Sequence, residues 1–271
     1  MYTILLAAFI GISLCAGLGS TGSSSWGWAV FWGMLAFVAT FAGLGLYFQS
    51  RIKVIGMTLQ EVMKSGQAKI QAMVNGWQMR PPGSVKQAQD SIQREQAKSA
   101  DAALAVAAKL DRYNRWVPMM ERQSAAIRLQ LYWAKRDFRQ VDALLPKALM
   151  LDPMIVCMKI ARMYVKGEKE GMEKLFTRTT ARLRYGQGAL LYALYSWILV
   201  KQGEIDAAHK ILVHACEKME NATLKANRDN LANNRIAHFS NAGFGDEWYA
   251  LLLEEPKVRM QRQQPRFGRP F

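Results

Sequence analysis

No charged side chain precedes Arg51. Within that charge-free segment lie two uninterrupted apolar stretches, Tyr2–Leu18 and Gly27–Phe48, joined by a short Gly/Ser turn. A helix needs about 20 apolar residues to cross a bilayer, so the second stretch is long enough and the first is marginal. So short a polar turn makes the two helices antiparallel neighbours. The chain is therefore expected to begin with a two-span transmembrane hairpin, residues 1–50, with spans at about 2–18 and 27–48.

Charge sets the expected orientation. Arg51 and Lys53 directly follow the second stretch, and Lys64 and Lys69 come soon after. Positive residues stay on the cytoplasmic side, which places both termini and the soluble part there, with only the turn crossing. Trp26, Trp28 and Trp32 cluster at the turn and Tyr47 at the opposite end, as aromatic belts do. The first stretch lacks the basic segment of a cleaved signal, since only Met1, Tyr2 and Thr3 precede its apolar run. Ala7, Gly11 and Cys15 recur every four residues, and Ala39 pairs with Gly43 at the same spacing. Such spacing lets helices pack closely on each other or on a second copy. The spans hold no charge that would mark a transport path.

All 36 Lys and Arg and all 21 Asp and Glu lie beyond residue 50, so the whole net charge of +15 belongs to that part. Such a surface prefers polyanions, whether anionic lipid, nucleic acid or an acidic protein. The cysteines, Cys15, Cys157 and Cys216, sit in apolar helical patterns. Their sparse, odd number argues for core residues in a reducing compartment.

Everything after residue 50 reads as helix, so the expected fold class is all-α. Ile52, Ile55, Leu59, Val62 and Met63 keep helical spacing, as do Ile70, Met73, Val74 and Trp77. Pro81-Pro82-Gly83 ends that helix, which would reach about 40 Å from Arg51. A second helix is expected from Ser84 to about Trp116. Residues 51–118 thus form a membrane-proximal pair of long helices.

Residues 119–222 show internal periodicity. The stretch at 129–153 aligns with that at 192–220. Both place an apolar and aromatic helix before a turn, Lys135-Arg136-Asp137-Phe138 and Gln202-Gly203-Glu204-Ile205. Both follow with a second helix in which Val141, Leu145 and Ala148 match Ala208, Leu212 and Ala215. A weaker middle copy fits at 157–183, with Ala161 and Tyr164 in the first-helix pattern.

These three segments resemble tetratricopeptide repeats, most closely through Tyr192, Ser196, Leu199, Gly203, Ile205, Ala208 and Ala215. The first copy matches through Tyr132, Asp137, Phe138, Ala148 and Pro153, with Val141 where alanine is usual. The resemblance implies an α-solenoid of stacked antiparallel helix pairs, whose first helices line a concave protein-binding groove. Carried onto this chain, the partner-binding positions are Ile127, Gln130 and Trp133 in the first copy and Leu194, Trp197 and Lys201 in the last. The two tryptophans are either aromatic anchors for a partner or packing against a neighbouring repeat. The groove lacks the Lys and Asn set of repeats that clamp peptide carboxylates. The order of two spans and then repeats is similar to that of the HemY family of inner-membrane proteins, with a much shorter loop between the spans here.

Residues 223–256 are expected as C-terminal capping helices over the last repeat. The tail, 257–271, carries Lys257, Arg259, Arg262, Arg266 and Arg269 with no acid, and its composition predicts disorder. It is expected to grip anionic partners, with Phe267 and Phe271 available to stack on bases, or to remain a solvated charge block. No catalytic constellation is present. His209, His214 and His238 lack metal-ligand spacing, and the glycine-rich stretches lack a phosphate loop's lysine. Neither an enzyme activity, a cofactor nor a metal is expected. The sequence reads as a scaffold or adaptor in a bacterial inner membrane, docking a protein partner on its repeats. The competing reading is a tether for RNA or ribosomes through the basic surface and the Arg/Phe tail.

Overall fold

The longest element runs straight through the boundary between the apolar and charged segments. In the computed structural model, which describes residues 2–20, 25–79 and 82–255, helix α2 spans Trp26–Met79 without a break. Its 54 residues reach about 81 Å at 1.5 Å per residue. The sequence suggested a span followed by a separate helix. The structure corrects this to one rod, since nothing between Phe48 and Ile52 interrupts the backbone ladder. The basic tail at 257–271 lies outside the described residues. Among the described residues all regular structure is helical.

Helix α1, Tyr2–Ser20, runs antiparallel to the first half of α2. Its buried residues, Thr3, Ala7 and Gly11, form one stripe at four-residue spacing. Of these, Gly11 faces Gly33 of α2, which is also buried, as is Ala29. The backbones nearly touch there. A Cβ on Gly33 would lie 2.8 Å from both the Cys15 Cβ and the Gly11 carbonyl oxygen. The pairing predicted for Ala7 and Gly11 thus lies inside the hairpin, while Ala39 and Gly43 are exposed. Both helices are long and apolar enough to cross a membrane, and few of their residues are buried. Phe9, Met34 and Leu46 are 70%, 68% and 68% exposed.

The chain divides into two compact units, Met1–Met150 and Leu151–Phe271. This division falls within the segment read as repeats. In the first unit, α3 (Val85–Ala107) packs on the second half of α2, with α4 (Met120–Ala134) against it. Ser84 starts α3 by accepting a hydrogen bond from the Gln87 amide. Ala103, Ala107 and Leu131 form a buried cluster with Leu59, Val62, Met63, Leu104 and Ile127 around it. Gly66 allows α3 to close on α2, because a Cβ there would meet the Ser99 side chain.

The helix expected to run to Trp116 ends earlier. It tightens into a 3-10 turn, Ala108–Tyr113, and then a non-helical connector leads to α4. This connector reaches back to the start of the chain. The Tyr2 amide donates to the Arg115 carbonyl at 2.9 Å. The Thr3 hydroxyl donates to the Trp116 carbonyl at 2.7 Å. Trp116 meets the Tyr2 ring edge-on at 5.5 Å and the Phe48 ring at 5.4 Å, and Tyr113 lies 6.0 Å from Phe48. Ion pairs Asp111–Arg128 and Asp101–Lys135 fasten α4 to the preceding elements. The hydrogen bond that Lys135 donates to Asp101 raises the Lys135 pKa above the ordinary lysine value.

Helix α5, Phe138–Leu144, ends just before Pro146, which has no amide hydrogen to continue the ladder. The second helix expected through Ala148 is therefore short, although Val141, Leu145 and Ala148 are all buried. In the second unit, α6 (Pro153–Lys166) pairs with α7 (Lys169–Thr180), and α8 (Ala189–Gln202) with α9 (Ile205–Lys218). Ala208, Leu212 and Ala215 of α9 are fully buried. Helix α10, Ala222–Ala232, is capped by Asn221, and the short α11, Asp246–Tyr249, follows.

Three helix-to-helix turns share one geometry. A residue at positive φ closes the first helix, and the next amide bonds five residues back: Asp137 to Tyr132, Glu168 to Met163 and Glu204 to Leu199. The positive-φ positions are Arg136 (60°), Gly167 (78°) and Gly203 (83°). Glycine adopts this conformation freely, whereas a side chain there costs about 1–2 kcal/mol. Arg136→Gly should therefore raise the stability of its unit by about 1 kcal/mol, and Gly203→Ala should lower that of the other by a similar amount. Thermal unfolding of the purified protein in detergent, followed by hydrogen exchange resolved to each unit, checks both. A destabilising Arg136→Gly would sink the account of this turn.

Candidate functional site

The six positions assigned to a groove fall three in each unit. In the first, Trp133 is only 3% exposed and meets Phe138 edge-on at 5.7 Å. Ile127 is half-buried against the Ala103–Leu131 cluster, and Gln130 is also half-buried. Trp133 thus serves as a core side chain, closing the turn between α4 and α5.

In the second unit, the covering of α8 is the central observation. Every residue from Leu191 to Leu199 is buried. The helix is apolar all round, as befits a helix surrounded by others. On one side Phe176 of α7 stacks on Tyr195 at 4.2 Å and meets Tyr192 edge-on at 5.5 Å. On another, the C-terminal segment lies over it. Asn241, fully buried, donates to the Ala193 carbonyl at 2.9 Å and accepts from Asn227 at 2.9 Å. Trp248, also fully buried, packs edge-on against Trp197 at 5.6 Å. The opposite flank of Trp197 meets Tyr164 of α6 at 5.5 Å.

One carboxylate closes this arrangement. Glu254 accepts from Trp197 Nε1 through one oxygen and from Trp248 Nε1 through the other, both at 2.8 Å. Two buried indoles thereby satisfy their only polar atoms on a single side chain. The Lys201 ammonium sits over the Trp197 ring, 5.2 Å from its centroid, and remains exposed. Of the last-copy positions, Leu194 and Trp197 are therefore buried, Trp197 against the chain's own C-terminal segment, and Lys201 stays on the surface. The segment lies over the helix face that carries Ala193 and Trp197.

Cys157 is fully buried, and burial pushes its thiol well above the ordinary range, which makes it an inert core residue. Among the described residues no three His, Cys, Asp or Glu side chains come together as a metal site. Lys257, Arg259, Arg262, Arg266 and Arg269 all lie outside the described residues. Sequence reasoning missed Glu254, Trp248 and the connector residues Tyr113 and Trp116. The tryptophans carried a usable signal, since each lies in a polar stretch where an isolated large ring demands a packing partner. No family model, curated protein or solved structure matches the chain.

Removing the shared acceptor tests the clasp. Glu254→Ala should shift both indole Nε1–H resonances of Trp197 and Trp248 and lower the stability of the second unit by about 2 kcal/mol, the scale of hydrogen bonds to a charged group. Trp197→Ala should cost more, about 3–5 kcal/mol, by opening a cavity. Unchanged indole signals in Glu254→Ala would refute the clasp.

Proposed function

We propose that this chain is a membrane-anchored helical scaffold, which holds a basic, repeat-built body at the cytoplasmic face of a membrane and docks a protein partner there. The observation that carries the reading is the exposed apolar surface of the α1–α2 hairpin. Helix α1 and the first half of α2 are apolar around their whole circumference, and most of their large side chains face outward, while small residues, Gly11 and Gly33 above all, make the closest contact between them. In water such a surface would be untenable, and a soluble core helix would bury it. In lipid it is the expected arrangement, because small residues make the helix contact and large ones meet acyl chains. The bonding of Tyr2 and Thr3 to the connector supports a first helix retained as half of the hairpin rather than removed as a signal.

The three equivalent turns support a tetratricopeptide-like body, falling close to the period of about 34 residues for such repeats. Docking then rests on the surface positions of the helix pairs, such as Lys201 and Val165, rather than on the two buried tryptophans. The +15 charge favours an acidic partner and also supports the rival reading, an RNA tether.

Two experiments test these parts. With the native cysteines removed, Ser25→Cys should react with an impermeant maleimide added outside spheroplasts, and Lys225→Cys only after lysis. The reverse pattern would invert the topology. A photo-crosslinker at position 165 or 201 should then yield discrete protein adducts that survive nuclease. Adducts that vanish with nuclease would replace the adaptor with the RNA tether.

A further inference from the structure

The stretch that runs from the 3-10 turn through the connector to α4, residues 109–119, exposes cationic and apolar side chains beside each other. Its backbone is fixed at the end of the apolar hairpin by the Tyr2–Arg115 and Thr3–Trp116 hydrogen bonds. Its rings, Tyr113 and Trp116, lie against Tyr2 and Phe48, where both apolar stretches stop. From this fixed place the connector exposes two kinds of group. Lys109, Arg112 and Arg115 are exposed cations. Trp116, Pro118 and Met119 are exposed apolar side chains, Met119 being 57% exposed. Asp111, the acid among them, is engaged by Arg128. Arg51, the first charge in the chain, leans over the Tyr47 ring at 5.6 Å on the same stretch of α2.

Met119 adds a second sign. It holds φ of 62°, a left-handed conformation that a non-glycine residue adopts at a cost. That conformation ends the connector and starts α4 directly, leaving the Met119 side chain outside the fold.

We infer that residues 109–119, together with Arg51, form an interfacial collar that binds anionic phospholipid headgroups of the leaflet at the open end of the hairpin. The inference rests on the membrane-anchor reading above. Aromatic and amphipathic side chains at the end of a span occupy the headgroup level, where one side is apolar and the other wet. Cations held at that depth face the phosphates, and each gains roughly 1 kcal/mol from an anionic leaflet, about a fivefold preference. The exposed Trp116 and Met119 continue the apolar surface of the hairpin, beside Tyr2 and Tyr47, into the region between headgroups and acyl chains. The collar therefore sets how deeply the chain sits and which lipid surrounds it.

The full chain in phosphatidylcholine nanodiscs, with or without phosphatidylglycerol, tests this. With the native cysteines replaced, single spin labels at Met34→Cys, Met119→Cys and Ser91→Cys report depth through oxygen and nickel accessibility. The expected depths are acyl core for 34, headgroup boundary for 119 and water for 91. Native mass spectrometry should show phosphatidylglycerol retained over phosphatidylcholine. In Lys109→Gln/Arg112→Gln/Arg115→Gln, whose substituted side chains are all exposed, that preference should fall at least fivefold with hydrogen exchange of α3 unchanged. A label at 119 in water while 34 stays in the core overturns the collar and leaves the anchor standing. A label at 34 in water overturns the anchor itself. Equal phosphatidylglycerol retention by the triple variant overturns the headgroup assignment.

Discussion

The first unit depends on the unbroken backbone ladder of α2. Successive amide-to-carbonyl bonds carry the helix from Trp26 to Met79, across the change from charge-free to charged sequence. In its first half these bonds satisfy the backbone polar groups within the helix itself, beneath an exposed apolar surface. In its second half the same ladder displays Leu59, Val62 and Met63 to α3 and α4. A break at Gln49 or Ser50 would leave two elements free to swivel. Continuity makes any rotation of the hairpin a rotation of the helices packed on it.

Different physics closes the two halves. Between α1 and α2, contact comes from close approach of the two backbones. Gly11 and Gly33 permit it by having no side chain. Around the second half, water is the solvent and apolar burial drives packing. Ala103, Ala107 and Leu131 supply it, with exposed ion pairs at Asp101 and Asp111 adding little. The second unit carries the second principle further, since α8 surrenders every face from Leu191 to Leu199 to its neighbours.

Local features of this fold were legible in the sequence. The absence of charge before Arg51 marked the hairpin, the 3.6-residue spacing marked the helices, and Gly203 marked a turn. The positions aligned between the first and last copies, Val141 with Ala208 through Ala148 with Ala215, are all buried. What escaped were contacts between residues far apart in sequence. Thr3 meets Trp116 across 113 positions, and Trp197 meets Glu254 across 57. No periodicity encodes such pairs. Trp197 read as a groove anchor because a large ring on a first helix satisfies the requirement for either a partner or a core. Only the fold of the C-terminal segment decides between them. The turn at Lys135–Phe138 was legible, but its left-handed residue was not, because arginine is not the residue that positive φ prefers.

The bonds that hold the start of the chain to residues 115 and 116 also impose an order of events. During synthesis Tyr2 and Thr3 emerge more than a hundred residues before their partners. Helices α1 and α2 are adjacent in sequence and pair through local contacts, which form early. The closing hydrogen bonds wait for the connector. For that interval the Thr3 hydroxyl lacks the Trp116 carbonyl, and the rings of Tyr2 and Phe48 lack their third member. The fold is thus latched from behind, with Tyr2 and Thr3 receiving their partners after the helical hairpin has already formed.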